Sequence, residues 1–345
     1  MKMISMQQYL EGRERRFGIA NPERIYVAFW EWAVRTGHSA WKARKILGAS
    51  PGGKPDWCFD RFGMTRTALP DGRVVYVAGE HEDWYDSDFC IYNDVVVLTP
   101  EGDVQFCIYP EAAFPPTDFH SATLVDESIY LIGNVGYGDA RRPGETPVRV
   151  LDLRTMEIRT LSPSGAAPGW IGRHSAELDR VRQAIDVFSG NVLELHNGEE
   201  RFRKNVDRHR LDLASLTWSR IEWNPGASEW RINVRPDDPA RRKQGHAPIG
   251  VAERVDRSPI PDAMAAKAMK EPGRSDGEDQ WRLRWRGVWL EITNKWDHEF
   301  HIVVRGELPP DALREMLDMW TDSLRQWSGV DPWVKKVWPP DDSVS

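Results

Sequence analysis

A short acidic stretch in the first third of the chain concentrates the side chains best suited to chemistry. Residues 80–88 hold one imidazole and five carboxylates. Carboxylates beside a histidine can bind a divalent metal ion or act as general acid and base. A solvated acidic loop explains the same composition. If the stretch continues as a strand, alternate residues point to opposite faces and the cluster divides. The residues concerned are Glu80, His81, Glu82, Asp83, Trp84, Asp86 and Asp88.

The elements around this stretch form a repeated pattern of short β segments. Residues 120–122 and 174–176 both read His-Ser-Ala and lie 54 residues apart, and 66–68 (Arg-Thr-Ala) precede the first of them by the same interval. Residues 76–79 and 130–133 repeat with that spacing too. Short segments rich in Val, Ile and Tyr, separated by Gly, Pro and Asp, are typical of strands joined by turns. The period therefore predicts repeated β units.

These units resemble the kelch repeat. That family forms β-propellers with one four-stranded blade per repeat, so the resemblance implies a mainly β fold with kelch-like blades over about residues 62–223. Three blades are recognisable, whereas closed propellers typically have four to eight. Flanking segments could complete the ring, or a second chain could do so in a homodimer. The segments that carry the resemblance are Phe119–Thr123, Ile129–Gly133, Leu151–Leu153 and Arg173–Ala176.

The resemblance also assigns roles to individual residues. His120 and His174 fill one position of successive repeats, which favours internal hydrogen bonding over metal binding. In kelch propellers the connection between the second and third strand often faces the ligand, and here it falls at 80–88, 136–145 and 196–204. The second connection adds Tyr137, Arg141 and Arg142 to the acidic residues as ligand-facing candidates.

A metal site is the alternative that the resemblance offers for the first connection. Some kelch proteins hold iron through Glu, Asp and His at four-residue steps. Glu82, Asp86 and Cys90 have that spacing, with Cys90 where the family has histidine. From composition alone, the metal ligands would be His81, Glu82 and Asp86.

The N-terminal flank, residues 1–60, is predicted to be helical. Asn21-Pro22-Glu23 is a typical helix start, and Phe29 and Trp32 then fall on one helical face. Ser39 can begin a second helix that ends at Gly48. Basic residues on that helix (Lys42, Arg44 and Lys45) also suit a helix-turn-helix DNA reader, but packing beside a larger domain is the favoured interpretation.

The C-terminal flank divides in two. Residues 224–280 are rich in Pro and charge, which predicts a partly ordered linker with a short helix near 263–269. Residues 281–345 are predicted to be an α+β module whose helix opens at Pro309. In 281–286 Trp or Leu alternates with Arg, which favours a strand with one buried face over a surface that stacks bases or sugars.

Charge, hydropathy and cysteine content limit the classes of function that the sequence favours. The net charge of −7 does not favour nucleic acid as a partner, and no apolar run is long enough to span a bilayer. Three cysteines without metal-ligand spacing suggest reduced thiols in a cytoplasmic protein.

We therefore expect a binding or scaffold protein that recognises a protein or peptide through its blade loops. It would have no cofactor, and the absence of a catalytic set favours a non-enzyme. Two alternatives stay open: a metal-binding protein or metal-dependent enzyme centred on 81–88, and a half-ring that acts only as a dimer.

Overall fold

A computed structural model describes residues 4–82, 89–234, 260–265, 269–270, 279–295, 299–329 and 331–339. The fold is mainly β and contains several antiparallel sheets. The chain divides into two compact units, Met1–Glu222 and Trp223–Ser345. Within the described ranges no closed barrel or propeller is detected, and no helix is long and apolar enough to cross a membrane.

The N-terminal flank contains three helices and one strand. These are α1 (Met6–Gly12), β1 (Glu23–Ile25), α2 (Ala28–Thr36) and α3 (Ala40–Leu47). The predicted helix start at Asn21 is wrong, because residues 23–25 form β1. The Asn21 side chain instead exchanges two hydrogen bonds with the backbone of Ile158. The second predicted helix is confirmed as α3: Ser39 caps its start, and Gly48 ends it with φ 67°.

Three antiparallel four-stranded meanders follow, here named sheets I, II and III. Within each sheet, strands adjacent in this series pair in chain order. Sheet I consists of β2 (Thr65–Ala68), β3 (Val74–Val77), β6 (Asp94–Leu98) and β7 (Val104–Ile108). Sheet II consists of β8 (Ser121–Val125), β9 (Ser128–Ile132), β10 (Val148–Asp152) and β11 (Ile158–Leu161). Sheet III consists of β14 (Ser175–Asp179), β15 (Ala184–Phe188), β18 (Arg208–Asp212) and β19 (Thr217–Glu222).

Shorter elements lie between and beside these strands. β1 adds a fifth strand to sheet I by pairing with β7. A two-stranded ladder joins β4 (Glu80–His81) to β5 (Cys90–Ile91), and a short 3-10 helix spans Gly138–Ala140. The remaining strands are β12 (Ser164–Gly165), which pairs with β19 in parallel, and the three-stranded sheet of β13 (Ile171–Gly172), β16 (Asn191–His196) and β17 (Glu199–Lys204).

The ladders correct the register of the first repeat. In every sheet the residue that begins the first strand pairs with the residue that ends the second: Thr65 with Val77, Ser121 with Ile132, and Ser175 with Phe188. The match of 66–68 to 120–122 is therefore wrong by two residues, and Met64 occupies the place of the histidine. Turns of different length join the paired strands, so equal spacing in sequence does not give equal ladder positions.

Sheet II is apolar on both faces. Ile129, Leu131 and Leu151 pack with Val75 and Val95 of sheet I in one buried cluster. On the opposite face, side chains of both sheets II and III build a second cluster. Its buried members include Ile132, Val148, Ile185, Val187, Leu211 and Trp218. Sheets I, II and III therefore pack face to face in sequence order.

The second unit is a six-stranded sheet with one long helix packed on it. Its helices are α4 (Asp262–Ala265) and α5 (Pro310–Ser328). Its strands, in spatial order, are β21 (Met269–Lys270), β22 (Asp279–Trp285), β23 (Val288–Lys295), β24 (Glu299–Arg305), β20 (Ser228–Asn233) and β25 (Trp333–Trp338). β20 comes from the stretch expected to be a linker. Met316, Trp320 and Leu324 of α5 pack with Trp281 and Leu283, so the alternating pattern of β22 does bury one face.

Candidate functional site

In each of sheets I–III, the connection between the second and third strands lies at one end of the sheet. Because neighbouring strands are antiparallel, the first strand of the sheet begins at that same end. The first two connections touch. The backbone N–H of Ile91 donates to the Tyr137 hydroxyl at 2.8 Å, and the Phe89 and Tyr137 rings meet edge to face with centroids 5.8 Å apart. Tyr137 thus joins the connection of sheet I to that of sheet II.

Arg141 joins the second connection to the third. Its guanidinium lies 3.1 Å from the Glu200 carboxylate and over the Phe202 ring, 5.1 Å from the centroid. Two backbone carbonyls, of Val135 and Gly136, each accept a hydrogen bond of 3.0 Å from the same side chain. The described parts of all three connections therefore make continuous contact. We call them, with residues 61–64, 117–120 and 171–174 at the same end, the loop face.

A buried carboxyl group lies under the loop face. Asp118 is 0% exposed. Its backbone N–H donates to Asn134 Oδ1 at 2.9 Å, and its Oδ1 accepts from the Gly136 N–H at 2.7 Å. Its Oδ2 is also buried and has no hydrogen-bond partner of settled geometry among the described residues. That oxygen needs a donor, since an unsatisfied buried acceptor costs free energy.

Glu80 is the neighbouring group that can donate to the Asp118 carboxylate when it is protonated. The pKa of Glu80 is raised to about 7, first by burial and then by the charge of Asp118 and a hydrogen bond between the two carboxyl groups. Burial also raises the pKa of Asp118. The nearby Arg173 opposes both increases. Two close carboxyl groups in a partly buried site cannot both ionise freely, so burial and mutual repulsion favour a protonated Glu80 beside Asp118.

The loop face also carries exposed aromatic rings. Phe62 is 62% exposed, and its backbone exchanges two hydrogen bonds of 2.8 Å with that of Glu80. Phe89 is 43% exposed. The Arg173 guanidinium lies over the Phe119 ring, 3.4 Å from its centroid. Exposed apolar rings beside charged groups are typical of recognition surfaces.

The predicted acidic cluster is divided where the structure describes it. His81 is buried, with Nδ1 3.2 Å from the Asp60 carbonyl oxygen, whereas Glu82 is exposed and Glu80 half-buried. β4 causes this, because alternate strand residues point to opposite faces. The remaining members of the cluster, Asp83, Trp84, Asp86 and Asp88, lie outside the described residues. Among the described residues no group of three His, Cys, Asp or Glu side chains could hold a metal ion.

His120 and His174 link neighbouring sheets, as predicted. His120 Nε2 lies 3.0 Å from Thr65 Oγ1, and His174 Nε2 lies 2.9 Å from Ser121 Oγ. Each histidine thus reaches back to the hydroxyl that begins the first strand of the preceding sheet. Burial lowers their pKa values to about 3 and about 4, so both rings are neutral. The internal hydrogen bonding expected of both histidines is therefore observed.

Several residues of the loop face were missed from the sequence. Asp118 and Arg173 are not among the predicted candidates, and neither are Phe62 and Phe89. Their position in the sequence could have identified Asp118 and Arg173. Both come just before a repeated histidine, at the point where the chain enters the first strand of a sheet from the loop face. Arg142 was predicted, but it is exposed and donates to the carbonyls of Asp139 and Arg141.

Comparison with known proteins adds no relative to this description. No model of a protein family matches the sequence, and no curated protein matches it.

Proposed function

We propose that this protein recognises a protein or peptide partner through the loop face. The observation that carries the proposal is the chain of contacts made by Tyr137 and Arg141, which joins three connections from three sheets into one surface. A surface assembled from separate loops on a rigid β scaffold is a common arrangement for binding.

The scaffold we propose is an open array of three kelch-like blades. The three meanders have the strand order of such blades, and His120 and His174 tie each first strand to the preceding one. Helices cover one outer face of the array. The other carries paired charges instead of an apolar surface, so closure into a ring is not required for burial.

The chemistry of the loop face suits a peptide with apolar and polar side chains. Phe62 and Phe89 offer exposed rings for apolar contact, while Arg141 and the partly exposed Glu80 offer charge and hydrogen bonds. Aromatic residues and arginine contribute much of the energy at protein interfaces. We expect the aromatic rings to supply most of the affinity and the charged groups to set specificity.

Selection of phage-displayed random peptides on the immobilised full-length chain tests the proposal. We expect the selected peptides to bind at least tenfold more weakly to Phe62→Ala and Phe89→Ala, because truncating a central aromatic contact typically costs over about 1.4 kcal/mol. Val181→Ala is the matched control, since Val181 is an exposed apolar residue at the turn between β14 and β15, the opposite end of sheet III. Failure to select any peptide, or equal loss in Val181→Ala, would contradict the proposal.

A further inference from the structure

Arg149 has an unusual position for a charged residue. It lies in β10 opposite Leu131 of β9. Leu131 belongs to the apolar cluster shared by sheets I and II. Residues that pair directly in a ladder point to the same face, so the Arg149 side chain is directed toward the space between these two sheets.

No described residue balances this charge. The Nε of Arg149 is inaccessible to solvent and has no hydrogen-bond partner. No carboxylate among the described residues contributes to the pKa of its side chain. The residue keeps intermediate exposure, so part of the side chain reaches the surface. Burial lowers the pKa of Arg149 to about 10.

Arg61 shows how this chain otherwise accommodates a buried arginine. Its guanidinium pairs with Asp94 and also donates to the carbonyls of Cys58 and Ala78. Leaving a buried cation without such partners is strongly unfavourable, because the loss of its hydration is not compensated. Arg149 therefore differs from Arg61 in lacking an anionic partner within the described chain.

His120 is a second group near Arg149 with an unused polar atom. Ala122 pairs with Leu131, which pairs with Arg149, so Arg149 lies in the same row of sheet II as the residue two positions after His120. The His120 ring reaches Thr65 of sheet I and therefore lies on the same side of sheet II as Arg149. The charge of Arg149 also helps to lower the pKa of His120. His120 Nε2 is occupied by the Thr65 hydroxyl, whereas Nδ1 is buried and has no partner. When the hydroxyl donates to Nε2, Nδ1 carries the proton and needs an acceptor.

We propose that Arg149 and His120 bind an oxyanion, a carboxylate or phosphate group, between sheets I and II. A guanidinium binds either group through two parallel hydrogen bonds and supplies the opposite charge. The neutral imidazole contributes Nδ1–H as a further donor. This proposal does not depend on the loop face being a peptide-binding surface.

Thermal unfolding of the full-length protein tests this site. The probes are sodium phosphate and sodium acetate, each compared with sodium chloride at the same ionic strength and pH 7. We expect one or both oxyanions to raise Tm by about 3 °C at ten times the dissociation constant. Arg149→Met should abolish this rise. Arg159→Met should keep it, because Arg159 is an exposed arginine on the neighbouring strand β11.

The two probes separate the sources of the anion. A rise with phosphate alone assigns the site to phosphate groups, and a rise with acetate alone assigns it to carboxylates. Salts also stabilise proteins generally, so the difference between wild type and Arg149→Met is the quantity that counts. The proposal is overturned if wild type shows no rise over chloride, or if Arg149→Met shows the same rise. Arg149→Met removes an unpaired buried charge, so it is expected to fold.

Discussion

The two outer faces of the three-sheet array differ in chemical character: one is apolar and the other is charged. The face of sheet I that points away from sheet II is apolar and packs against the N-terminal helices. Trp30 and Trp57 stack there with ring centroids 4.7 Å apart, and both contact Phe106 of β7 edge to face. Tyr9 and Phe29 belong to the same cluster.

The face of sheet III that points away from sheet II carries charges. Arg210 makes two hydrogen bonds to Asp186, of 2.6 and 2.8 Å, and Arg208 contacts the same carboxylate at 3.1 Å. Asp179 and Glu177 extend this network. Alternation in β15 explains the difference between its faces, because Ile185 and Val187 point to the core and Asp186 points away.

The different chemistry of these two outer faces accounts for the burial of apolar side chains in three sheets that do not form a closed ring. A repeat array needs its ends capped, since each repeat buries its faces only against neighbours. Sheet I is capped by apolar packing, and sheet III ends on a face that already pairs its own charges. With only three repeats, both outer faces of the array have to be covered or be polar. The N-terminal flank covers one of these two faces.

Asp94→Ala should have the largest effect, because it acts at the buried apolar end. Asp94 accepts from Arg61 and from Trp57 Nε1, the latter at 2.7 Å. Removal leaves the buried Arg61 charge unpaired, which costs about 3–5 kcal/mol of unfolding free energy. Denaturant unfolding measures this loss. A loss below about 1 kcal/mol would contradict the claim that the apolar outer face depends on this buried ion pair. The double variant Arg61→Met with Asp94→Leu serves as control and should lose less.

Asp186→Ala tests the charged end and should cost less, about 1–2 kcal/mol. The arginines that it leaves are partly exposed, with 27% and 22% of the Arg208 and Arg210 side chains accessible, so water replaces part of the lost interaction. The same denaturant measurement at 0.05 and 0.5 M NaCl should show a smaller cost at high salt. A cost equal to that of Asp94→Ala would show that both ends are buried alike.

The junction of sheets I and II should respond to pH through Glu80. Its pKa is about 7 in the folded protein and near 4.5 when unperturbed, so the folded state holds the proton more tightly. The contribution is fully present below pH 4.5 and is lost as pH rises through 7. After allowance for solvent screening we expect about 1–2 kcal/mol less stability at pH 8 than at pH 5 from this group. Glu80→Gln should remove that part of the pH dependence, and Glu82→Gln, at an exposed neighbour whose charge contributes least to the raised pKa of Glu80, should keep most of it. Equal profiles for wild type and Glu80→Gln would rule out a protonated Glu80 beside Asp118.

Removing a single hydroxyl should give the smallest loss of stability. The loss should differ between sheet II, which is followed by another sheet, and sheet III, which is the last of the array. Ser121→Ala removes the hydrogen bond to His174 and should cost about 1 kcal/mol. Ser175 holds the same ladder position in sheet III, and among the described residues its hydroxyl has no hydrogen-bond partner. Ser175→Ala should therefore be close to neutral. Equal costs, measured by thermal unfolding, would mean that the inter-sheet bond contributes nothing specific.

Much of the strand order could be predicted from the sequence, because β-branched and aromatic segments separated by Gly and Pro specify strands locally. The position of Thr65 could not be predicted, since it depends on turn lengths that shift the ladder. The helix start at Asn21 was wrong because pairing with β7 overrides local capping preference. Asp118 and Glu80 are 38 positions apart in the printed sequence, and only folding brings their carboxyl groups together.

The most direct test of the account is hydrogen–deuterium exchange of the full-length protein with and without a selected peptide. We predict that the peptide slows exchange in residues 61–64, 89–93, 133–147 and 190–204, on the loop face. We predict no change in the turns at 69–73, 126–127 and 180–183, at the opposite end of the sheets. Slower exchange confined to those turns, or to the second unit, would contradict a binding function for the loop face.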